Sequence, residues 1–487
     1  MTAPALNLAA LSRVPEHLRP PVDPRELRPR IVHFGLGAFH RAHQARYTEN
    51  AACRSGEPWG IAAVAPRSDG TAAELRAQDC LYSLTELRPA HTVTRVSGAV
   101  VEALGMRPAA ARLDALLTAP DVSVLTLTIT EKGYHRRADT GALDTAAPAI
   151  AADLAAAADP AALTTVIGRI AAGLAARMRA GGAPVTVVSC DNMAANGAAL
   201  GRVVRDFVAA APWPDRQAVL DWMAASVAFP STIVDRIVPA TTEADRQAAR
   251  AALGVHDALP VVGEPYRQWV LEDAFAGPRP PWQLDGALFV PDVGPYQLTK
   301  LRLLNGCHSA LAHLGAAAGL TTVADAMATG WGERLVRSLC AEVAPTLPAG
   351  GPDPAGYADD LVERFGNPGV RHLLRQIGSD GSLKIPERWL DALRTLRAGS
   401  TATPVLELAL AAWANATRLT DDGGQLFGTT DPAAPALGRC WQDGRGPEDT
   451  VRRLLGTLGA ADLADDAGLV GAVAARLPAL RAGRIEI

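Results

Sequence analysis

The chain has 487 residues, a formal net charge of −4 and six cysteines. That length exceeds what one ordinary hydrophobic core holds, so two domains are expected, and the 48% hydrophobic and 20% charged content is that of a globular protein. Charges of both signs are interspersed, which argues against a nucleic-acid partner, and no apolar run approaches the roughly 20 residues that cross a bilayer.

The N-terminal MTAPALNLAALSRVPEHLRP has no basic region before its weak apolar patch, so it does not read as a signal peptide, and the cytoplasm is the expected compartment. Cys53, Cys80, Cys190, Cys307, Cys340 and Cys440 lie far apart and form no C-x-x-C pair, which argues against structural zinc or a disulfide scaffold. The first half alternates short apolar runs with helical patterns, as a parallel α/β sheet does. Strands are expected at Ile31–Phe34, Gly60–Ala65, Val122–Thr130 and Val185–Ser189, with helices at Ala109–Leu117 and Leu163–Arg179. Pro260–Asp273 reads as a further strand with a loop. Gly and Pro then cluster from Gly277 to Pro295, and almost everything after Tyr296 has a helical pattern. The expected organisation is an α/β Rossmann-type domain over 1–290 followed by a mostly helical domain over 291–487.

IVHFGLGAFHRAHQ places Gly35 and Gly37 directly after the first strand and before a helix, where a dinucleotide pyrophosphate would sit. The usual third glycine is replaced by His40, so the motif is incomplete, and two glycines at such a junction often make only a tight turn. At the end of the second strand, AVAPRSDG offers Asp69 to hold a ribose diol and Arg67 to pair with a 2′-phosphate. NAD is the expected cofactor and NADP is left open. SCDNMAANG brings Asp191, Asn192 and Asn196 to the carboxyl edge of a parallel strand, and TITEKGYH does the same with Thr130, Glu131 and Lys132. FPSTIVDRIVP sets Asp235 and Arg236 among apolar neighbours, where a charge needs a partner; an internal salt bridge accounts for the pair as well as a functional role does.

The most informative segment is YQLTKLRLLNGCHSALAHLG. At about 100° per residue, with Lys300 at 0°, Asn305 falls near 140° and His308 near 80°. A lysine, an amide and an imidazole thus project within one sector just past the domain boundary, where a cleft is expected. A buried lysine can shed its charge and accept a proton, while an amide and an imidazole hold a carbinol oxygen as it becomes a carbonyl. Taken singly, each residue reads more plainly as a solvent lysine, a capping asparagine and a core histidine; the combination favours chemistry. Tyr296 and Lys300 also form Y-x-x-x-K, the pair of short-chain dehydrogenases, but those are single domains of about half this length with the pair inside the nucleotide domain. In the helical half, NPGVRHLLRQIGSDGSLKIPER supplies Asn367, Arg371, His372, Gln376 and Lys384, each able to reach a substrate or merely to cap a helix.

Together, GLGAFHRAHQ, TITEKGYH, SCDNMAANG, FPSTIVDRI, KLRLLNGCHSALAHLG and the DGS-x-K segment resemble the long-chain polyol dehydrogenase family, collinearly from about residue 30 to 390. The resemblance implies NAD(H), no metal, and a small polyol or sugar acid as substrate, in a monomer or small homo-oligomer. By that similarity Lys300 is the general base, Asn305 and Asn196 cradle the reacting oxygen, and His308 and Asp235 bind neighbouring hydroxyls. Gly35, Gly37, Phe39 and Glu131 lie along the cofactor. EKGYH and Gln376 look more like the fructuronate reductase branch than the mannitol 2-dehydrogenase branch. A sugar-acid carboxylate would want a cation, for which Lys384, Arg371 and Lys132 are candidates. The chain departs from the family in carrying Gln297 where an acid commonly stands, three positions before the lysine. The rival from another class is a non-catalytic dinucleotide-binding protein, which would have no need of the lysine, amide and imidazole.

Overall fold

The computed structural model describes residues 3–420 and 423–487, and the chain divides into two compact units, Met1–Val293 and Gly294–Ile487. The first unit is built on six parallel strands: β1 (Arg28–Phe34), β2 (Trp59–Ala65), β3 (Val100–Gly105), β4 (Val124–Leu127), β5 (Val185–Ser189) and β6 (Val227–Ala228). Their spatial order is β3-β2-β1-β4-β5-β6. That is the doubly wound dinucleotide-binding order, with the reversal of winding between β1 and β4.

Both faces of this sheet are covered, which is why its strands are continuously apolar. In β2 and β5 every residue is buried. Val32, Val64, Leu125 and Val187 pack on one side with Leu113, Ile167 and Phe207 of the helices Ala110–Thr118, Val166–Arg179 and Asn196–Ala210. Ile31, Ile61, Val124 and Val188 face the other way, toward Ala45, Tyr47 and Ala51 of helix Gln44–Ser55. Two three-stranded sheets complete the unit. One pairs Tyr82–Leu87 with Val261–Gly263 and Thr92–Ser97, and the other pairs Gln268–Glu272 with Leu288–Val290 and Thr232–Asp235.

The expected strand at Val122–Thr130 is shorter in the structure: pairing stops at Leu127, and Thr130 has a left-handed φ of 67° that no strand accepts. Pro260–Asp273 resolves into two strands in different sheets. The hairpin Tyr82–Leu87/Thr92–Ser97 forms no continuous apolar run, because apolar and polar residues alternate in it, as in YSLTEL.

The second unit is helical. Its core gathers around helices Gly306–Ala317, Pro404–Ala416 and Ala467–Arg481, with Leu311, Leu410 and Val473 fully buried. Among the described residues all six cysteines are free, although the Sγ atoms of Cys307 and Cys340 lie 3.7 Å apart in this core, and no helix is long and apolar enough to cross a membrane.

Burial pushes His33, His43 and His313 from 6.5 down to about 3, and His40 and His308 well below 6.5. All five are therefore neutral in the fold but protonate on unfolding once the pH drops below 6.5. Stability is full above that value and is lost as pH falls toward 3. Denaturant melts should show unfolding free energy falling between about pH 7 and about pH 5, with each histidine contributing up to roughly 1 kcal/mol per pH unit.

Candidate active site

At the carboxyl ends of β1 and β4 the backbone turns sharply. Gly35 has φ 117°, and a Cβ there would stand 2.1 Å from the Thr128 carbonyl oxygen, so only glycine fits. The His33 imidazole lies beneath the turn. Its Nε2 is 3.1 Å from the Gly35 carbonyl, which can only accept, so Nε2 carries the proton and Nδ1 accepts from the Thr126 hydroxyl at 2.7 Å. Gly37 has an ordinary φ of −96°, and a Cβ there would meet nothing closer than 3.9 Å. Its missing side chain leaves open space above the turn. Gly35, Leu36 and Gly37 form one wall of a cavity of about 650 Å³ whose other walls are Pro66–Ser68, Thr128–Thr130, Lys132 and Thr164–Val166.

His40, at the third-glycine position, does not face this cavity. It is fully buried and stacks on His33 at 3.4 Å with the rings 11° apart, so a flat imidazole fills the helix–sheet gap that a glycine usually leaves. Phe39 stacks on His43 and packs into the core instead of lining the cavity. Glu131 is exposed at the start of the turn Glu131–Tyr134, beside the cavity but not on its wall. Asp69 is held by Arg76 through two hydrogen bonds, Nη2 to Oδ2 at 2.6 Å and Nη1 to Oδ1 at 3.1 Å, and does not line the larger cavity.

Asp191 acts on the same rim from below. Its carboxylate accepts from the amides of Ile129 (3.1 Å) and Thr130 (2.8 Å) and from the Tyr134 hydroxyl (2.8 Å). Burial pushes the carboxyl above the usual range despite these bonds. Asp191 thus clamps the loop after β4 and does not reach into the cavity. Asn196, 1% exposed, donates from Nδ2 to the carbonyls of Asp191 (2.9 Å) and Thr232 (3.0 Å) and accepts from the Thr232 amide (2.9 Å). Both amide hydrogens are engaged, so in this structure Asn196 is a strut between strand ends and not a free donor to an oxygen. Asn192 is exposed, and Asp235 is buried at the end of Thr232–Asp235. Arg236 finds its charge partner in Glu86 at 3.4 Å, and the Glu264 carbonyl accepts from its Nε.

In the second unit, the helix starting at Gly294 widens into a π-helix over Lys300–Asn305 before resuming as Gly306–Ala317. The i→i+5 closure sets Asn305 one hydrogen-bonded turn from Lys300, where a regular helix would have placed it about 140° away. A second π segment, Pro386–Leu390, follows a proline that has no N–H to give. The two segments serve each other: Arg388 donates to the Asn305 carbonyl (3.2 Å) and the Ser309 hydroxyl (2.8 Å), and the Trp389 indole donates to the Gly306 carbonyl (3.2 Å).

Lys300 is 8% exposed. The Asn305 side-chain amide has no partner among the described residues. His308, 7% exposed, stacks on Phe365 at 4.3 Å and meets His372 edge-on at 5.0 Å, and among the described residues its buried Nε2 has no hydrogen-bond partner. Burial, and then the basic groups His372, Arg364, Arg388 and Lys300, hold this imidazole neutral. The structure therefore gathers Lys300, Asn305, His308 and His372. Arg364 and Arg388 join them without having been singled out in the sequence. Arg364 ends the amphipathic helix Pro354–Phe365 on its buried face, a signal the helical period carries, whereas nothing in IPERWL marks Arg388. Three other candidates are placed differently. Lys384 donates to the carbonyls of Ile377 (3.2 Å) and Ser379 (2.6 Å), while Gln376 and Arg371 are exposed.

Residues 29–284 match the mannitol dehydrogenase Rossmann domain, and residues 292–481 match the mannitol dehydrogenase C-terminal domain. The chain belongs to the mannitol dehydrogenase family. It is 39% identical over 467 residues to the D-mannonate oxidoreductase of Escherichia coli strain K12, covering 94% of each chain. A crystal structure of D-sorbitol dehydrogenase in substrate-free form is 30% identical with a TM-score of 0.88, covering 99% of this chain and 100% of that one. The Pseudomonas fluorescens mannitol 2-dehydrogenase, in a ternary complex with NAD and D-mannitol, is 35% identical with a TM-score of 0.77, covering 98% and 97%.

In this member of the mannitol dehydrogenase family, the Lys384 amine donates to the Ile377 and Ser379 carbonyls at the end of helix Leu374–Gly378. Lys384→Met should lower the unfolding free energy by about 1 kcal/mol in urea melts and leave KM nearly unchanged. A rise in KM with undiminished stability would return Lys384 to the substrate site.

Proposed function

We propose that this protein is an NAD-linked dehydrogenase that interconverts the secondary alcohol of a sugar acid and its ketone, with Lys300 as the proton-transfer group. The observation that carries the reading is the buried Lys300 beside an uncommitted Asn305 amide and a neutral His308 whose Nε2 has no hydrogen-bond partner among the described residues. The choice of a sugar acid over a neutral polyol rests on charge: the basic groups His372, Arg364, Arg388 and Lys300 all act on His308, and such a setting favours a carboxylate.

The first unit fits a dinucleotide. The positive φ of Gly35, the open space at Gly37 and the cavity at the β1/β4 reversal are what a pyrophosphate needs. Nicotinamide, when bound, accepts or returns the hydride. In the oxidative direction, neutral Lys300 takes the carbinol proton as the carbon loses its hydride. The Asn305 amide donates to the oxygen as it becomes a carbonyl, and His308 fixes a neighbouring hydroxyl through Nε2. Reduction runs these steps backward, with the protonated amine of Lys300 as acid. With Asn196 engaged by backbone, its contribution is to hold the strand ends in place.

A reading through Tyr296, as in short-chain enzymes, is disfavoured because Tyr296 and Lys300 both lie in the helical unit, outside the Rossmann sheet. The second reading kept is a neutral ketose and polyol, as the name of mannitol 2-dehydrogenase suggests.

Lys300→Ala should lower turnover by roughly a thousandfold or more, while NADH binding followed by fluorescence quenching survives. Full turnover in that variant would remove Lys300 from the chemistry. NADH oxidation should be fastest with fructuronate or tagaturonate in a panel that includes fructose and xylulose. Activity with fructose and none with fructuronate would replace the sugar acid by a neutral ketose.

A further inference from the structure

We propose that the adenosine end of the dinucleotide cavity accepts a 2′-phosphate, so that the protein binds NADP(H) as well as NAD(H). The inference rests on the dinucleotide reading above. In a doubly wound sheet, selection against the 2′-phosphate is the work of a carboxylate near the end of the second strand, which chelates the ribose diol and repels a phosphate. Here β2 ends at Ala65, and Pro66, Arg67, Ser68 and Asp69 follow.

The only carboxylate in that run is already engaged. Both oxygens of Asp69 accept from Arg76. The carboxylate occupies the space left by Gly105, where a Cβ would fall 2.5 Å from Oδ1. An acid fixed in this way by a fork of two N–H donors has its charge compensated and its geometry spent.

The cations are in the opposite condition. A second cavity of about 470 Å³ shares Ala65–Ser68 with the first and continues past β2 to Gly105, Met106, Arg107 and Pro108. Arg67 and Arg107 line it, both exposed, and neither has an ion-pair or hydrogen-bond partner among the described residues. Two guanidinium groups and the Ser68 hydroxyl line one recess together with Asp69, whose carboxylate is held by Arg76. Guanidinium forks match phosphate oxygens in shape and charge, so this donor set suits a phosphate on the ribose better than a bare diol.

The test is calorimetric titration of the full-length protein with 2′,5′-ADP and with ADP, which places the second phosphate on the 5′ chain instead of the 2′ position. The expected result is that 2′,5′-ADP binds about tenfold tighter and that its affinity falls more steeply with salt. The double variant Arg67→Ala, Arg107→Ala, at exposed positions outside the core, should lose about tenfold for 2′,5′-ADP and little for ADP. Equal or weaker binding of 2′,5′-ADP overturns the inference and leaves the NAD reading standing. Equal losses for both nucleotides overturn it as well, because the arginines would then be stacking on adenine. If neither nucleotide binds, the dinucleotide reading fails and takes this inference with it.

Discussion

The close approach of Gly35 to the Thr128 carbonyl is the constraint on which the first unit turns. It brings the ends of β1 and β4 together at the reversal of the sheet, leaving no room for a side chain and demanding a backbone angle that costs other residues energy. The surroundings are arranged to hold that geometry. A neutral His33 donates to the Gly35 carbonyl from below, and His40 stacks on it to seat the following helix. Asp191 fixes the Thr128–Tyr134 side through three donors. The cavity wall is thus backbone, held by the hydrogen bonds of His33 and Asp191 and by the stacking of His40.

In the second unit the half-buried Asn305 amide and the buried His308 Nε2 are without partners among the described residues. Widening a helix into a π turn releases carbonyls and shifts side chains around the axis. The Asn305 carbonyl accepts from Arg388 and the adjoining Gly306 carbonyl from Trp389, both of the other π segment, while among the described residues the Asn305 amide and the His308 Nε2 are left over. A buried imidazole atom without a protein partner is costly, and such groups are retained where a ligand completes them. The contrast with Asn196 is instructive: the same amide chemistry, fully spent on backbone, makes a strut.

Charge separates these roles. Asp69, Asp191 and Lys384 read in the sequence as ligand groups because of where they fall relative to strands and helices. In the fold each is engaged by a near neighbour: Arg76, the Ile129 and Thr130 amides, and the Ile377 and Ser379 carbonyls. Arg67 and Arg107 line a cavity beside the end of β2, and Arg364 and Arg388 lower the proton affinity of His308.

The strands β1, β2 and β5, the glycine turn and the lysine–asparagine–histidine helix were legible in the sequence. Each is set by local physics: strands buried on both faces must be apolar, a turn with no room for a Cβ must be glycine, and three polar residues on a leucine-rich helix stand out. The motifs also carried the family. Only the tertiary structure decided which polar side chains remain available, because that depends on partners distant in the chain, as Asn196 depends on Thr232. It also revealed the π segments, which local propensity does not signal, since the widened turn is stabilised by donors arriving from a segment some eighty residues later.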